Sequence, residues 1–161
     1  MIKYYVGLDQ SLTSTGVCII NSNSTWNDFN VITTKSLKGV ERLKYIGDRI
    51  IFLITRGIYK NSKMLVGIES YAYSRFSRSV YGLGELGGVI RYLLSTNNIC
   101  FEVVNIKTWK KEIIGNGNAS KEDIASFVEK QEGKPVSFRL TQDEKDAYCI
   151  ALYLRRKNGE C

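Results

Sequence analysis

Residues Val6–Ile20 read VGLDQSLTSTGVCII. An apolar strand ends in a carboxylate, Asp9, and is followed by a Ser/Thr-rich turn and a second apolar strand. An ionised acid where a buried strand runs out is costly unless something cationic meets it. Taken alone, Asp9 is as well read as an Asx-turn residue ordering the polar turn. Strands so close in sequence are joined most simply as an antiparallel hairpin, which starts a sheet.

Working outward, Ile2–Leu8 and Thr15–Ile20 are expected as strands, with a third at Asn30–Lys35 after the turn-forming stretch Asn21–Asn27. From Gly39 to about Tyr59 the apolar period becomes helical, with Val40, Leu43, Ile46, Gly47, Ile50, Leu53 and Ile54 on one face. Met64–Glu69 is a short apolar run, read as a buried parallel strand reached by that helical crossover. A basic, aromatic loop, YAYSRFSRS (Tyr71–Ser79), leads into a helix at Val80–Ser95. That helix contains Gly82, Gly84, Gly87 and Gly88, each costing about 1 kcal/mol against alanine. Something must approach its backbone closely, in this chain or in a second copy.

Ile99–Val104 reads as another strand, and Lys107–Ile114 as a short helix stopped by the GNGN turn. Ser120 with Asp123, and Thr141 with Glu144, make capping boxes that open helices running to about Lys130 and Lys157. The loop between them, Gln131–Leu140, holds the one proline, Pro135. No linker, repeat or low-complexity segment interrupts residues 1–161, so a single mixed α/β domain is expected, with three antiparallel strands followed by two parallel ones.

The composition narrows the chemistry. The net charge of +7 favours a polyanionic partner such as nucleic acid. The chain has no histidine, which removes the Ser-His-Asp triad, the Cys-His dyad and nearly every zinc site. Cys18, Cys100, Cys149 and Cys161 form no C-x-x-C pair, and Met1 leads straight into a strand rather than a signal peptide. A reduced, cytoplasmic setting is therefore expected. No apolar run reaches the roughly 18 residues of a membrane span.

The acids then fall into a pattern. Strand alternation puts Tyr5, Gly7 and Asp9 on one face, and Leu65, Gly67 and Glu69 on the equivalent face of the later strand. Each strand thus ends in a carboxylate two residues after a glycine, which leaves room for a helix to lie close to the sheet. In the last helix Asp143 and Asp146 extend the inward stripe of Ala147, Ile150, Ala151 and Leu154. Where that helix covers the two strand ends, all four acids converge, and both glycines should face it. Four like charges that close need a counter-charge. An oxygen-only donor set suits Mg²⁺ or Mn²⁺ as ligands of Asp9, Glu69, Asp143 and Asp146. A pair of such ions, about 3.5 to 4 Å apart, serves phosphodiester hydrolysis with water as nucleophile. Singly, Asp143 is also a sound helix N-terminal residue, and Glu69 an ion-pair partner for Arg75 or Arg78.

In order and spacing, GLDQSLTSTG, GIES, GLGELGGVIRYLL, WKKEIIGNGNASK and DEKDAYCIA resemble the RuvC family of Holliday-junction resolvases over almost the whole chain. The compact length is similar to that of bacteriophage members, which implies action in the host cytoplasm. The resemblance implies a ribonuclease H-like fold, a homodimer formed through the glycine-rich helix, and Mg²⁺- or Mn²⁺-dependent cutting of four-way DNA junctions. It maps the family's metal-binding acids onto Asp9, Glu69, Asp143 and Asp146, and its two important lysines onto Lys110 and Lys121. Lys121 opens a helix, where the dipole disfavours a cation, so a phosphate partner would account for it. Two departures stand out. Asp9-Gln10-Ser11 replaces the usual D-P-G, and Ala72 stands where the family has an aromatic that stacks on an unpaired base. Tyr71 and Tyr73 flank that position, with Phe76 further on; either one of these stacks on a base or the junction-centre contact differs from the family's.

The reading is a metal-dependent, structure-specific endonuclease for four-way junctions, extending to other branched DNA. Its catalytic residues would be Asp9, Glu69, Asp143, Asp146 and Lys121. Lys110, Lys121, Tyr71, Tyr73, Arg75 and Arg78 would contact DNA. Backbone contacts are also expected from Lys107–Lys111, Lys134, Arg139 and the Arg155-Arg156-Lys157 tail, each of which reads equally as solvated surface. The alternative is a junction-binding protein that does not cut. An actin-like or sugar-kinase ATPase would need a second lobe that 161 residues do not provide.

Overall fold

Alternate residues of the first strand feed two different cores. In β1 (Tyr4–Asp9), Tyr4, Val6 and Leu8 pack on one side of the sheet, and Tyr5 on the other. The computed structural model describes residues 3–23, 26–70, 78–133 and 139–158, with backbone alone at 78 and 79. In it, β1, β2 (Ser14–Asn21), β3 (Asn27–Thr33), β4 (Met64–Glu69) and β5 (Cys100–Val104) form one sheet in the order β3-β2-β1-β4-β5. β1, β2 and β3 are antiparallel, whereas β4 and β5 run parallel to β1. That is the expected mixed sheet.

One face is covered by α1 (Gly39–Thr55) and α2 (Arg78–Thr96), the crossovers that make β4 and β5 parallel. Their seam relies on Gly47, where an added Cβ would lie 2.5 Å from Leu93 Cδ1. The other face is covered by α3 (Ile106–Ile114), α4 (Lys121–Glu132) and α5 (Gln142–Lys157). Of these, α5 lies directly on β1, β2 and β4. The reason is the glycines. A Cβ on Gly7 would sit 1.8 Å from the Ala147 carbonyl oxygen, and one on Gly67 2.8 Å from Ile150 Cγ2. Both glycines face the last helix, and Gly16 does the same, 2.0 Å from the Asp143 carbonyl oxygen.

Both capping boxes are present, at Ser120/Asp123 and Thr141/Glu144, so α4 and α5 begin where the sequence places them. Three expectations need correction. β3 begins at Asn27 rather than Asn30, because its polar start is pinned by tertiary bonds. Asn27 Nδ2 donates to Glu132 Oε1 (2.8 Å), and Tyr59 Oη donates to Asp28 Oδ2 (2.9 Å). α1 stops at Thr55 rather than Tyr59, because Arg56 turns extended and Gly57 takes φ +53°, leaving Gly57–Tyr59 as a separate short turn. Val40 sits in the first turn of α1 and is exposed, not part of its buried face. Among the described residues, no helix is long and apolar enough to cross a membrane.

Candidate active site

The parallel pairing of β1 with β4 runs Tyr4–Met64 through Leu8–Ile68, and the next residue on each strand is an acid, Asp9 and Glu69. On its other side Asp9 pairs with Gly16 of β2. Gly16 is where the first turn of α5 touches the sheet, through the Asp143 backbone. The same absent Cβ that lets α5 approach therefore brings Asp143 beside Asp9, with Asp146 one turn further along. The convergence expected from strand and helix periods is realised.

Three of the four acids are held by neutral donors, and Asp9 shares a hydrogen bond with Glu69. Trp109 Nε1–H donates to Glu69 Oε1 at 2.7 Å, and Gln142 Nε2 donates to Asp146 Oδ1 at 2.8 Å. Ser14 Oγ donates to Asp143 Oδ2. Gln10, in the position that departs from the family's D-P-G, donates from Nε2 to the Glu69 carbonyl oxygen at 2.8 Å. Its side chain thus ties the end of β1 to the end of β4.

The electrostatics are those of a site short of positive charge. Burial, and then the charges of Glu69, Asp146 and Asp143, push the Asp9 carboxyl up to about 9. Glu69 is raised, chiefly by burial, with the Trp109 N–H and the Lys110 charge opposing. Asp146 is also raised by burial, and is partly relieved by Gln142, Lys110 and Lys121. A hard divalent cation fits this all-oxygen donor set and would remove the repulsion that protonates Asp9. Among the described residues, no three acids already enclose one cation position. Ser14 and Gln142 hold two of the carboxylates, and ligation would exchange those bonds.

Both lysines face the cluster. Lys110 Nζ donates to the Ala119 carbonyl oxygen at 2.9 Å and lies 5.7 Å from the Trp109 ring centre, while its charge reaches Glu69 and Asp146. Lys121, the first residue of α4, is exposed, and its charge reaches Asp146. Lys107, Lys111 and Arg139 are exposed. The Arg155-Arg156-Lys157 tail is not part of this site. It lies at the far end of α5, about 20 Å along the axis from Asp143. There Arg156 Nη1 donates to the Glu112 carbonyl oxygen (3.2 Å) and Lys157 pairs with Glu102. Tyr71, Tyr73, Arg75, Phe76 and Lys134 lie outside the described residues, as does the Arg78 side chain.

Sequence reasoning missed Ser14, Gln142 and the role of Trp109. The one available signal was that a buried indole N–H requires an acceptor.

A model of the family described as "Crossover junction endodeoxyribonuclease RuvC" matches residues 5–153. The chain belongs to the RuvC family. The match spans all four acids and both lysines. The RuvC of Brachyspira hyodysenteriae is 29% identical over 157 residues, covering 95% of this chain and 94% of its own. That of Chloroherpeton thalassium is 32% identical over 112 residues, covering 70% and 58%. Among solved structures, Thermus thermophilus RuvC in complex with Holliday junction substrate superposes with a TM-score of 0.79 at 20% identity, covering 96% of each chain. The yeast mitochondrial Holliday junction resolvase Ydc2 gives 0.58 at 12% identity, covering 96% of this chain and 78% of that one. The fold is that of RuvC, which is ribonuclease H-like.

Proposed function

We propose that this chain is a divalent-cation-dependent endonuclease that resolves four-way DNA junctions and cuts other branched DNA, acting as a homodimer. The observation that carries the reading is the juxtaposition of Asp9, Glu69, Asp143 and Asp146, in which burial and the neighbouring acids push the Asp9 carboxyl up to about 9. In this reading the four acids hold two Mg²⁺ or Mn²⁺ ions. Bound there, the ions supply an activated water and stabilise charge on the leaving oxygen of a phosphodiester. Lys121 meets the scissile phosphate, and Lys110 offsets the acids from the protein side. Exposed Lys107, Lys111 and Arg139 contact the DNA backbone, in keeping with the net charge of +7. Tyr71 and Tyr73 are assigned to the junction centre, and Arg75 and Arg78 to the DNA backbone, on sequence alone.

The dimer would form through α2, whose exposed stripe is Tyr81, Glu85, Gly88 and Tyr92. The glycines of this helix do not all serve one purpose. Gly82 makes room for Leu12, 2.7 Å from an added Cβ, whereas among the described residues an added Cβ on Gly88 would meet nothing within 4 Å. Gly88 is therefore the position open to a second copy. The phage-type assignment, with action in the host cytoplasm, rests on compact length; the curated relatives above are bacterial.

The test is cleavage of a labelled four-way junction in Mg²⁺ or Mn²⁺ by wild type and Asp9→Asn. Wild type should cut and the variant should bind without cutting. A wild-type protein that binds the junction and never cuts in either metal would leave the alternative, a junction-binding protein without nuclease activity.

A further inference from the structure

We infer that Trp109 is a positioning residue for Glu69, fixing one oxygen of that carboxylate so that the other is presented to a bound cation. The inference rests on the metal-nuclease reading above and adds a residue to it. Trp109 is fully buried in the core beneath α5, packed with Val104, Ile113 and Ile150. A buried indole N–H must find an acceptor. Here the acceptor is Glu69 Oε1 at 2.7 Å, at the short end of the range for an N–H bond to an ionised oxygen.

The donor is carried on a fixed element. Asn105 caps the start of α3, accepting from the Lys107 N–H (2.9 Å) and the Thr108 N–H (3.4 Å). Gly115, at φ +93°, ends it. Ile113, one turn beyond Trp109, is buried in the same core. The acceptor is fixed from the other side, since Gln10 holds the Glu69 carbonyl oxygen. Glu69 is thereby constrained at its backbone and at one carboxylate oxygen, and the hydrogen bond its carboxylate shares with Asp9 is one that a bound cation would replace.

The chemistry of the donor matters. An arginine or lysine in this place would hold the carboxylate equally well but would bring a charge that competes with the cation. An indole N–H orients the carboxylate and adds no charge, which is what a ligand's supporting partner must do. Lys110 lies over the indole ring and donates a hydrogen bond to the Ala119 carbonyl oxygen.

Trp109→Phe keeps the ring and removes the N–H. In DNA-free protein, calorimetric titration with Mn²⁺ should show affinity about 10-fold weaker or more. In junction cleavage the metal concentration for half-maximal rate should rise by a similar factor, while the rate at saturating metal changes less. A folded Trp109→Phe that binds Mn²⁺ as tightly as wild type overturns the inference and leaves the nuclease reading standing. A wild type that binds no Mn²⁺ takes both down. Should Trp109→Phe fail to fold, Trp26→Phe leaves Trp109 as the single tryptophan. Its emission should then change saturably with Mg²⁺. Emission that stays constant while calorimetry shows the site filling overturns the inference equally.

Discussion

Asp9 carries opposite consequences for folding and for function, because burial and three neighbouring carboxylates all act on it in the same direction. An aspartate whose carboxyl is pushed up to about 9 takes up a proton on folding at neutral pH, since the unfolded chain ionises near 3.8. Its contribution to stability is therefore most favourable below about pH 4 and declines as pH rises from there towards 9. Without metal, Asp9→Asn removes this dependence. Each tenfold in proton affinity is about 1.4 kcal/mol, and 1 kcal/mol moves the Tm of a chain this size by about 2–4 °C. Metal-free Asp9→Asn is expected to melt at least about 3 °C above wild type at pH 7, with the gap closing towards pH 4.5. Calorimetric scans in chelator at both pH values check this, and equal melting temperatures at pH 7 would refute the crowded-acid account. The set of four acids was legible in the sequence, since strand alternation and the stripe of one helix each aim two of them inward. Trp109 and Ser14 were not, because an indole in an apolar stripe reads as core, and a serine in a polar turn reads as turn. What makes them partners of Glu69 and Asp143 is the placement of α3 and α5 on the sheet.

At the scale of elements, α5 matters most, because it supplies Asp143 from its first turn and Asp146 one turn on, while its remaining length packs on β1, β2 and β4. That turn is held by Thr141. Its Oγ1 accepts from the Glu144 N–H (3.2 Å) and donates to Glu144 Oε2 (2.9 Å), which also accepts from the Thr141 N–H (2.8 Å). Losing such a cap costs about 1 kcal/mol. Thr141→Ala should lower Tm by about 2–4 °C and weaken Mn²⁺ binding, because the turn that frays carries Asp143 and leads directly into Asp146. Ser120→Ala removes the equivalent cap of α4, should cost similar stability, and should leave Mn²⁺ affinity unchanged. Equal metal affinity in both variants would separate α5's cap from the site. Both helix starts were readable because a capping box is local chemistry. The start of β3 was not, since Asn27 and Asp28 have turn-forming character until Glu132 and Tyr59, far along the chain, pin them into a strand. The end of α1 was overrun for a related reason: the apolar spacing continues past Thr55, while Gly57 with φ +53° breaks the backbone.

For the whole molecule, one glycine separates what the chain needs for itself from what it needs for a partner. Gly7, Gly16 and Gly67 are demanded by α5, and Gly82 by Leu12, but Gly88 is an exposed helix-interior glycine where, among the described residues, an added Cβ would meet nothing within 4 Å. In an isolated helix such a residue costs about 1 kcal/mol relative to alanine and returns nothing. It lies on one stripe with Tyr81, 82% exposed, and Tyr92, 67% exposed, an unusual solvent-facing use of two aromatics on one helix. A second copy of α2 approaching at Gly88 gives the glycine a reason and covers both tyrosines. Gly88→Leu tests this directly. The single chain has room for the side chain and gains helix propensity, so its thermal stability at high dilution should be no lower than that of wild type. A dimer built across this glycine has no such room. Sedimentation at micromolar concentration should give about twice the chain mass for wild type and a single chain mass for Gly88→Leu. Cutting of a four-way junction should then lose its pairing, with single nicks replacing coordinated cuts on opposite strands. A Gly88→Leu protein that still sediments as a dimer would place the interface elsewhere, and a monomeric wild type would remove the dimer altogether.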